Sequence, residues 1–174
     1  MKLFLCLTLI ALTGLKACEK QGTGPDSKWL NNIDALLDHN REKVTITQGV
    51  TGTLVMIEGN CMPIIDPGNS ENPCLKYPVK RRLHIHEYTL QHETDHAGGG
   101  FHFNVETPLI ATIQTDNEGF FQIDLAPGKY SIFIEEEDAL YANLWHGDGG
   151  IQGFEVVQDA VHIIMLEISH SAYF

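Results

Sequence analysis

Histidines are the residues in this sequence whose number and spacing most suggest chemistry. Nine of the 174 residues are histidine, and five of these lie within residues 83–103. His84 and His86 occupy alternate positions of a predicted strand, so both imidazoles leave the same face of it. Neighbouring imidazoles on one face can chelate a zinc or copper ion. Three more follow within one predicted loop and could complete a ligand shell: His92, His96 and His102.

These histidines have a second interpretation that needs no metal. His84 and His86 could face solvent on their strand beside Arg82, followed by a loop that is merely polar. The spacing of the five residues is not specific to one metal. The other four histidines are isolated in the sequence and are predicted to be ordinary surface or core residues: His39, His146, His162 and His170.

The run from His92 to His96, H-E-T-D-H, matches the H-E-x-x-H motif of zinc-dependent hydrolases. That motif works on a helix, which brings both histidines to one face beside a glutamate base. The glycines at 98–100 disfavour a helix here, so we interpret the match as coincidental. Ser131 and Ser169 lack the G-x-S-x-G pattern of a nucleophile elbow. We therefore predict that the chain is not an enzyme, with a metal-dependent hydrolase as the remote alternative.

The stretch from Asp116 to Tyr130, D-N-E-G-F-F-Q-I-D-L-A-P-G-K-Y, indicates how the scaffold is built. Its first turn ends at Gly119, which can adopt a positive φ angle. A strand with alternating apolar residues follows, and the sequence A-P-G-K at 126–129 turns the chain into a second alternating strand. Two strands cannot bury an apolar face alone, so this predicted hairpin implies a larger antiparallel sheet.

Apolar alternation predicts further strands along the chain. These are residues 49–57, 80–88, 107–115, 151–157 and 161–168, with 141–145 a short aromatic strand or turn. Both faces of 161–168 are apolar, which predicts a strand in the interior of a sheet. Residues 26–40 predict one amphipathic helix capped by Asp26 or Ser27. Seven or eight short strands after a short helix indicate an all-β sandwich.

The N-terminus has the features of an export signal. A short basic start precedes an apolar run at residues 3–12, which is too short to span a bilayer as a helix. The sequence L-K-A-C that ends at Cys18 resembles a bacterial lipobox, which predicts a lipidated Cys18. The alternative is an ordinary signal peptide cut nearby, with Cys18 a spare thiol. We predict a lipid-anchored protein of the bacterial cell envelope, on the outer membrane and either periplasmic or surface-exposed.

The remaining cysteines predict one disulfide. Cys6 leaves with the signal peptide and Cys18 is assigned to lipid, so Cys61 and Cys74 are the pair that an exported protein most simply joins. The segment between them is rich in Pro, Gly and Asn, which predicts a loop. Two free thiols, or a zinc site, are alternatives that the compartment and the absence of C-x-x-C spacing disfavour.

The charge and the aromatic residues bear on partners. Eleven basic against 23 acidic residues give a net charge of −12, which argues against nucleic acid. Several aromatic residues could form a platform for a glycan or peptide: Tyr141, Trp145, Phe154, Tyr173 and Phe174. Of these, Phe154 is predicted to be buried in the core, and Tyr173 and Phe174 are predicted to be exposed. The predicted partners are therefore a membrane, through the lipid, and an unidentified protein or glycan.

Two motifs resemble a known domain. The run G-V-T-G-T-L at residues 49–54 and the run D-N-E-G-F-F-Q-I-D-L-A-P-G-K-Y-S at 116–131 are similar to the carboxypeptidase regulatory-like domain, in the form found in envelope lipoproteins of Bacteroidetes-type bacteria. The resemblance spans roughly residues 44–168. It implies a transthyretin-like Greek-key sandwich with a non-catalytic accessory, binding or stabilising role. The insertion before residue 107 departs from the family, so no particular partner is carried over.

These patterns divide the chain into a signal peptide (1–17), a tether with a short helix (18–43) and one β-sandwich domain (44–174). The predicted function is that of a non-enzymatic envelope lipoprotein, a binding or accessory module without a resident cofactor. The alternative is a zinc- or copper-binding protein that uses the histidine-rich segment 84–102.

Overall fold

Two β-sheets packed face to face account for most of the computed structural model, which describes residues 28–63 and 74–174. One helix precedes them, α1 (Ile33–Arg41). The strands are β1 (Gly49–Asn60), β2 (Cys74–Pro78), β3 (Arg82–Glu87), β4 (Asp95–Gly98), β5 (Phe101–Phe103), β6 (Leu109–Gln114), β7 (Phe120–Ile123), β8 (Gly128–Glu136), β9 (Ala139–Tyr141), β10 (Gly153–Val156) and β11 (Val161–Tyr173).

The first sheet is built around β1. Strand β11 pairs with β1 in parallel along one side, from Gly49↔Val161 to Asn60↔Tyr173. On the other side of β1, β7 pairs antiparallel with its first half and β2 with its second half. Strand β11 therefore forms one edge of this sheet within the described part of the chain.

The second sheet has the order β4-β5-β9-β8-β3-β6, with β10 also paired to β8. All of these pairings are antiparallel. The inner faces of the two sheets enclose the main core, which includes Val50, Leu54, Leu83, Ile85, Ile132, Ile134, Leu166 and Ile168. The predicted all-β sandwich with a short helix is confirmed. The described residues contain more strands than predicted, because β2, β4, β5 and β9 are only three to five residues long and show little alternation.

The predicted hairpin after Gly119 does not form. Strand β7 pairs with β1 in the first sheet, whereas β8 pairs with β3, β9 and β10 in the second. The connection 124–127 carries the chain from one sheet to the other, and Leu125 is buried in the core between them. Alternation predicted both strands correctly, but it carries no information on which sheet receives each strand.

The last strand is also placed differently from the prediction. Strand β11 lies at a sheet edge, and Ile163 is 61% exposed and Met165 45% exposed on its outer face. The inner face, with Leu166 and Ile168, is buried. The apolar residues on both faces therefore reflect one core face and one exposed apolar face, not an interior strand.

Helix α1 covers part of the outer face of the first sheet. Leu36 of the helix and the preceding Trp29 pack on Val55 of β1. The helix begins at Ile33 rather than at residue 26, because Asn31 has a φ of 55° that interrupts helical geometry. The predicted caps at 26 and 27 lie outside the described residues.

The predicted disulfide is present. Cys61 and Cys74 are bonded, with their Cα atoms 4.7 Å apart, and they join the end of β1 to the start of β2. Cys18 and the predicted signal peptide lie outside the described residues. Among the helices that are described, none has the length and apolar character needed to cross a membrane.

Candidate functional site

The outer face of the second sheet carries most of the predicted metal ligands. His84 and His86 leave the same face of β3, while Leu83 and Ile85 face the core. His84 donates from Nε2 to Oε2 of Glu135 on the neighbouring strand, at 2.7 Å. This hydrogen bond, helped by nearby Arg82, holds the pKa of Glu135 below its usual value.

His86 and His102 are buried beneath the segments that cover this face. His86 Nδ1 lies 2.9 Å from the carbonyl oxygen of Thr107, and His102 Nε2 lies 3.1 Å from that of Ala142. Because a carbonyl oxygen only accepts, each of these nitrogens carries the hydrogen. Burial lowers the pKa of both imidazoles, so both are neutral at physiological pH. The Phe133 ring stands edge-on to each of them.

His96 and His102 are the two predicted ligands that come together. Their rings stack with centroids 5.0 Å apart, and Trp145 lies within 5.5 Å of both. His96 donates from Nδ1 to the Phe101 carbonyl oxygen at 3.2 Å. The second nitrogen of His102, Nδ1, is buried without a hydrogen-bond partner.

His92 does not join this group. It is exposed in the 3-10 turn Gln91–Glu93, whereas His96 lies in β4, so the H-E-T-D-H run is not helical. Glu93 instead accepts a hydrogen bond from the backbone N–H of Leu90 at 2.8 Å. The geometry that the hydrolase motif requires is therefore not formed, which agrees with a coincidental match.

Four of the five histidines share one feature of metal ligands. His84, His86, His96 and His102 each donate one ring N–H to a carboxylate or backbone carbonyl, and in a neutral imidazole the other nitrogen keeps a lone pair. However, no three His, Cys, Asp or Glu side chains converge on a common point within the described residues. The structure thus brings His96 and His102 together, whereas His84, His86 and His92 do not join them. The five-ligand zinc or copper site stays a prediction.

A different feature, not identified from the sequence, is a cleft between the open edges of the two sheets. It encloses about 570 Å³ between β10 with the segment before it and the edge strand β11. Its apolar wall includes Ile132, Phe154 and Leu166, and polar groups from both sides reach into it: His146, Gln152, His162 and Glu167. This volume and this mixture of walls are typical of ligand-binding clefts.

Gln152 is the most unusual residue of the cleft. It is only 5% exposed, and its side-chain Nε2 has no hydrogen-bond partner, although Oε1 accepts from the Asn143 backbone N–H at 3.2 Å. Its φ angle is 42°, a left-handed conformation that costs a non-glycine residue about 1 kcal/mol or more. A buried, unpaired amide donor is costly, and a bound acceptor would relieve that cost.

A smaller cavity lies between α1 and the outer face of the first sheet. It has a volume of about 210 Å³, and its lining includes Leu37, Val44 and Ile163. Asn40 lies at this cavity, and its buried Oδ1 has no hydrogen-bond partner. The neighbouring Nδ2 is satisfied by Thr53 and by the Glu118 carbonyl.

Three of the aromatic residues lie as the sequence predicted, whereas Tyr141, a candidate for the exposed platform, is buried. Phe154 is buried, stacks on Tyr130 and forms part of the cleft wall. Tyr173 and Phe174, at the end of the chain, are exposed. Ser131 is fully buried and its Oγ accepts from the Thr89 backbone N–H, so its hydroxyl has a structural role.

Sequence reasoning missed the cleft because its residues come from segments that look unremarkable separately. The one signal available was the apolar outer face of 161–168, since exposed apolar residues on a strand often mark an interaction surface. Comparison of the chain with protein-family models, with curated proteins and with solved structures finds no match.

Proposed function

We propose that this chain is a non-enzymatic accessory module of the bacterial cell envelope, which binds a partner through the cleft between β10 and β11. The observation that carries the proposal is a cleft of about 570 Å³ with apolar and polar walls, lined in part by Gln152, whose amide donor is buried and unpaired. The resemblance of residues 49–54 and 116–131 to a non-catalytic domain family supports the same role.

Position-specific crosslinking in cells tests this proposal. A photo-crosslinking residue at Leu144, which is exposed at the rim of the cleft, should give a defined product with a partner. The matched control is Leu109, which is similarly exposed but lies on β6, away from the cleft. The absence of product at Leu144, or the same product at both positions, would contradict the proposal.

Membrane attachment is the second part of the proposed function. The apolar run before Cys18 and the L-K-A-C sequence support a lipid anchor, and residues 19–26 would serve as a polar tether. Cys18→Ala should move the protein from the membrane fraction to the soluble fraction of the envelope. Unchanged partitioning of the variant would exclude the anchor and leave the cleft proposal untouched.

Metal binding is a second candidate, favoured by the stacked pair His96 and His102 with their fixed ring N–H donors. Calorimetry with zinc and with copper should then show saturable uptake that His96→Ala abolishes. His92→Ala is the matched control, because His92 is exposed and contributes to neither ring contact. A His84/His86→Ala double variant tests the wider predicted site, and no saturable uptake by the native chain would end this candidate.

A further inference from the structure

The free edge of β11 is suited to pairing with another backbone. The Gly49 N–H bonds to the Ala160 carbonyl oxygen, and the Leu54 N–H bonds away from β11, to Gly119. Backbone direction alternates along a parallel ladder, so the groups of residues 162, 164 and 166 point toward β1. Those of 163, 165 and 167 point outward, where no strand pairs with them in the described part of the chain.

The cleft runs along this same edge. Residues from both faces of β11 line the cleft, including Ile164 and Met165. Strand β10 and the segment before it form the opposite wall. A segment laid along β11 would therefore place alternate side chains into the cleft, against Phe154 and Leu166. The other alternate side chains would remain at the surface, near the exposed Met165.

Gln152 lines the cleft, and its Nε2 donor is buried without a hydrogen-bond partner. Its Oε1 accepts from the Asn143 N–H, and this bond restrains the orientation of the side-chain amide. A carbonyl oxygen is the matching partner, and the backbone of a peptide carries one at every residue.

We infer that the cleft binds an extended peptide segment, which adds as a strand to the edge of β11. One apolar side chain of the segment packs against Phe154 and Leu166, and one of its carbonyl oxygens accepts from Gln152 Nε2. This inference rests on the proposed binding function and specifies the chemistry of the partner. Strand addition of this kind draws affinity from backbone pairing and specificity from alternate side chains.

Two observations favour a peptide over a lipid or a compact small molecule. Only another backbone can satisfy a row of alternating N–H and C=O groups, which neither of those ligands offers. The charged and titratable side chains that line the cleft are one glutamate and two histidines, Glu167, His146 and His162, in a chain of net charge −12. The segment is therefore expected to be apolar where it meets Phe154 and Leu166, and not acidic.

The test uses a fluorescein-labelled peptide of the sequence Thr-Val-Thr-Phe-Thr-Val-Thr and fluorescence anisotropy with the full chain. Two further peptides carry backbone N-methyl groups on the odd or on the even residues. A strand paired along one edge uses only one of these two sets of N–H groups. Binding should be lost in one N-methylated peptide and retained in the other. No binding of the parent peptide, or equal binding of both methylated forms, would overturn the inference.

Variants locate the binding site. Gln152→Glu keeps the oxygen that accepts from Asn143 and removes the Nε2 donor, so it should weaken peptide binding by about tenfold. Met165→Pro removes an outward N–H from the edge, so it should weaken binding similarly. We expect this variant to fold, because proline is tolerated at strand edges. Leu109→Thr is the matched control and should bind as the native chain does.

Thermal unfolding of each variant separates misfolding from loss of contact. The N-methylated peptides test the same pairing on the native chain, so the inference stays testable if Met165→Pro fails to fold. Native affinity in a folded Gln152→Glu would contradict the role of Nε2. A crosslinked partner at Leu144 without binding of any of the peptides would refute the peptide class and leave the proposed binding function standing.

Discussion

Glu118 joins the helix segment to the turn before β7 through contacts from four side chains, of which Lys28 is the most distant at 3.9 Å. Lys43 forms an ion pair with its carboxylate, His39 lies 2.9 Å from Oε2, and Trp29 Nε1 donates to Oε1 at 3.1 Å. The Lys43 contact is the main cause that lowers the pKa of Glu118 to about 2, with smaller contributions from His39 and Trp29. The charged form of this residue therefore stabilises the fold.

The sign of the pH effect follows from this depressed pKa. The contribution of Glu118 is present above its unfolded pKa of 4.5 and is lost as the pH falls from there toward about 2. We expect Glu118→Gln to lower the free energy of unfolding by about 1 to 2 kcal/mol near neutral pH. This is less than the pKa shift alone implies, because the side chain is 28% exposed and water screens it.

Urea unfolding across that pH range measures the effect. The difference between the native chain and Glu118→Gln should shrink toward zero as the pH approaches about 2. Asp124→Asn is the control, since this nearby carboxylate is exposed and no side-chain partner is described for it. A difference that is independent of pH would show that Glu118 acts through packing rather than charge.

Gly119 gives a second prediction at the residue scale. It has a φ of 69°, and a Cβ atom there would lie 2.2 Å from the Leu54 carbonyl oxygen. Gly119→Ala should therefore cost about 3 kcal/mol or more, since it adds a backbone clash to the strain of positive φ. Gly98→Ala is the matched control, because Gly98 also has positive φ but no atom within 4 Å of such a Cβ.

The control variant should lose only about 1 kcal/mol, which is the cost of the left-handed backbone alone. Chemical denaturation of both variants compares these losses directly. Equal losses at the two positions would mean that the contact with Leu54 is relieved by movement of the turn.

Residue-scale predictions from sequence succeeded where one position determines the outcome. The face of β3 was predicted correctly, because His84 and His86 alternate with apolar residues that must be buried. Gln152 could not be identified, since its buried position depends on Asn143 and on the arrangement of two sheets. The sequence around Gln152 also does not predict its positive φ angle.

At the scale of elements, the disulfide connects β1 to β2 beside the antiparallel ladder that they share. Gly59 pairs directly with Cys74, and Cys61 bonds to Cys74 with a sequence separation of 13. Closing a loop of this length stabilises the folded state by about 3 kcal/mol in the chain-entropy model. The bond therefore holds the end of β1 against an otherwise short strand.

Replacement of Cys61 and Cys74 by alanine together should lower the free energy of unfolding by about 3 kcal/mol. Guanidinium unfolding with and without a reducing agent provides the measurement. Reductant should destabilise the native chain by a similar amount and leave the double variant unchanged. An unchanged native chain under reducing conditions that break the bond would contradict a stabilising role.

The two wrong predictions, the hairpin of β7 with β8 and the interior position of β11, have the same physical cause. Alternation correctly predicted the strands that became β7, β8 and β11, but strand pairing is set by contacts distant in sequence. The sequence at 124–127 is typical of a hairpin turn, but this connection passes from the first sheet to the second, and Leu125 is buried in the core between them. The two apolar faces of β11 suggested burial, although one of them is the exposed face beside the cleft.

At the scale of the whole molecule, the sandwich leaves one side open between β10 and β11. The outer face of the second sheet is covered by a small cluster of Phe133, Ala142 and Ile151, and part of the first sheet is covered by α1. The open side combines exposed apolar residues, the unpaired edge of β11 and the cleft. Natural proteins protect such edges or use them for binding, and binding is the role proposed for the edge of β11.

Backbone-amide NMR of the full chain, titrated with the Thr-Val-Thr-Phe-Thr-Val-Thr peptide, tests the central claim most directly. We expect shift changes to concentrate in residues 143–146, 152–156 and 162–167, which border the cleft. Changes confined to the cavity under α1 or to the histidine-rich outer face, or no saturable change, would contradict the claim that this cleft is the binding site.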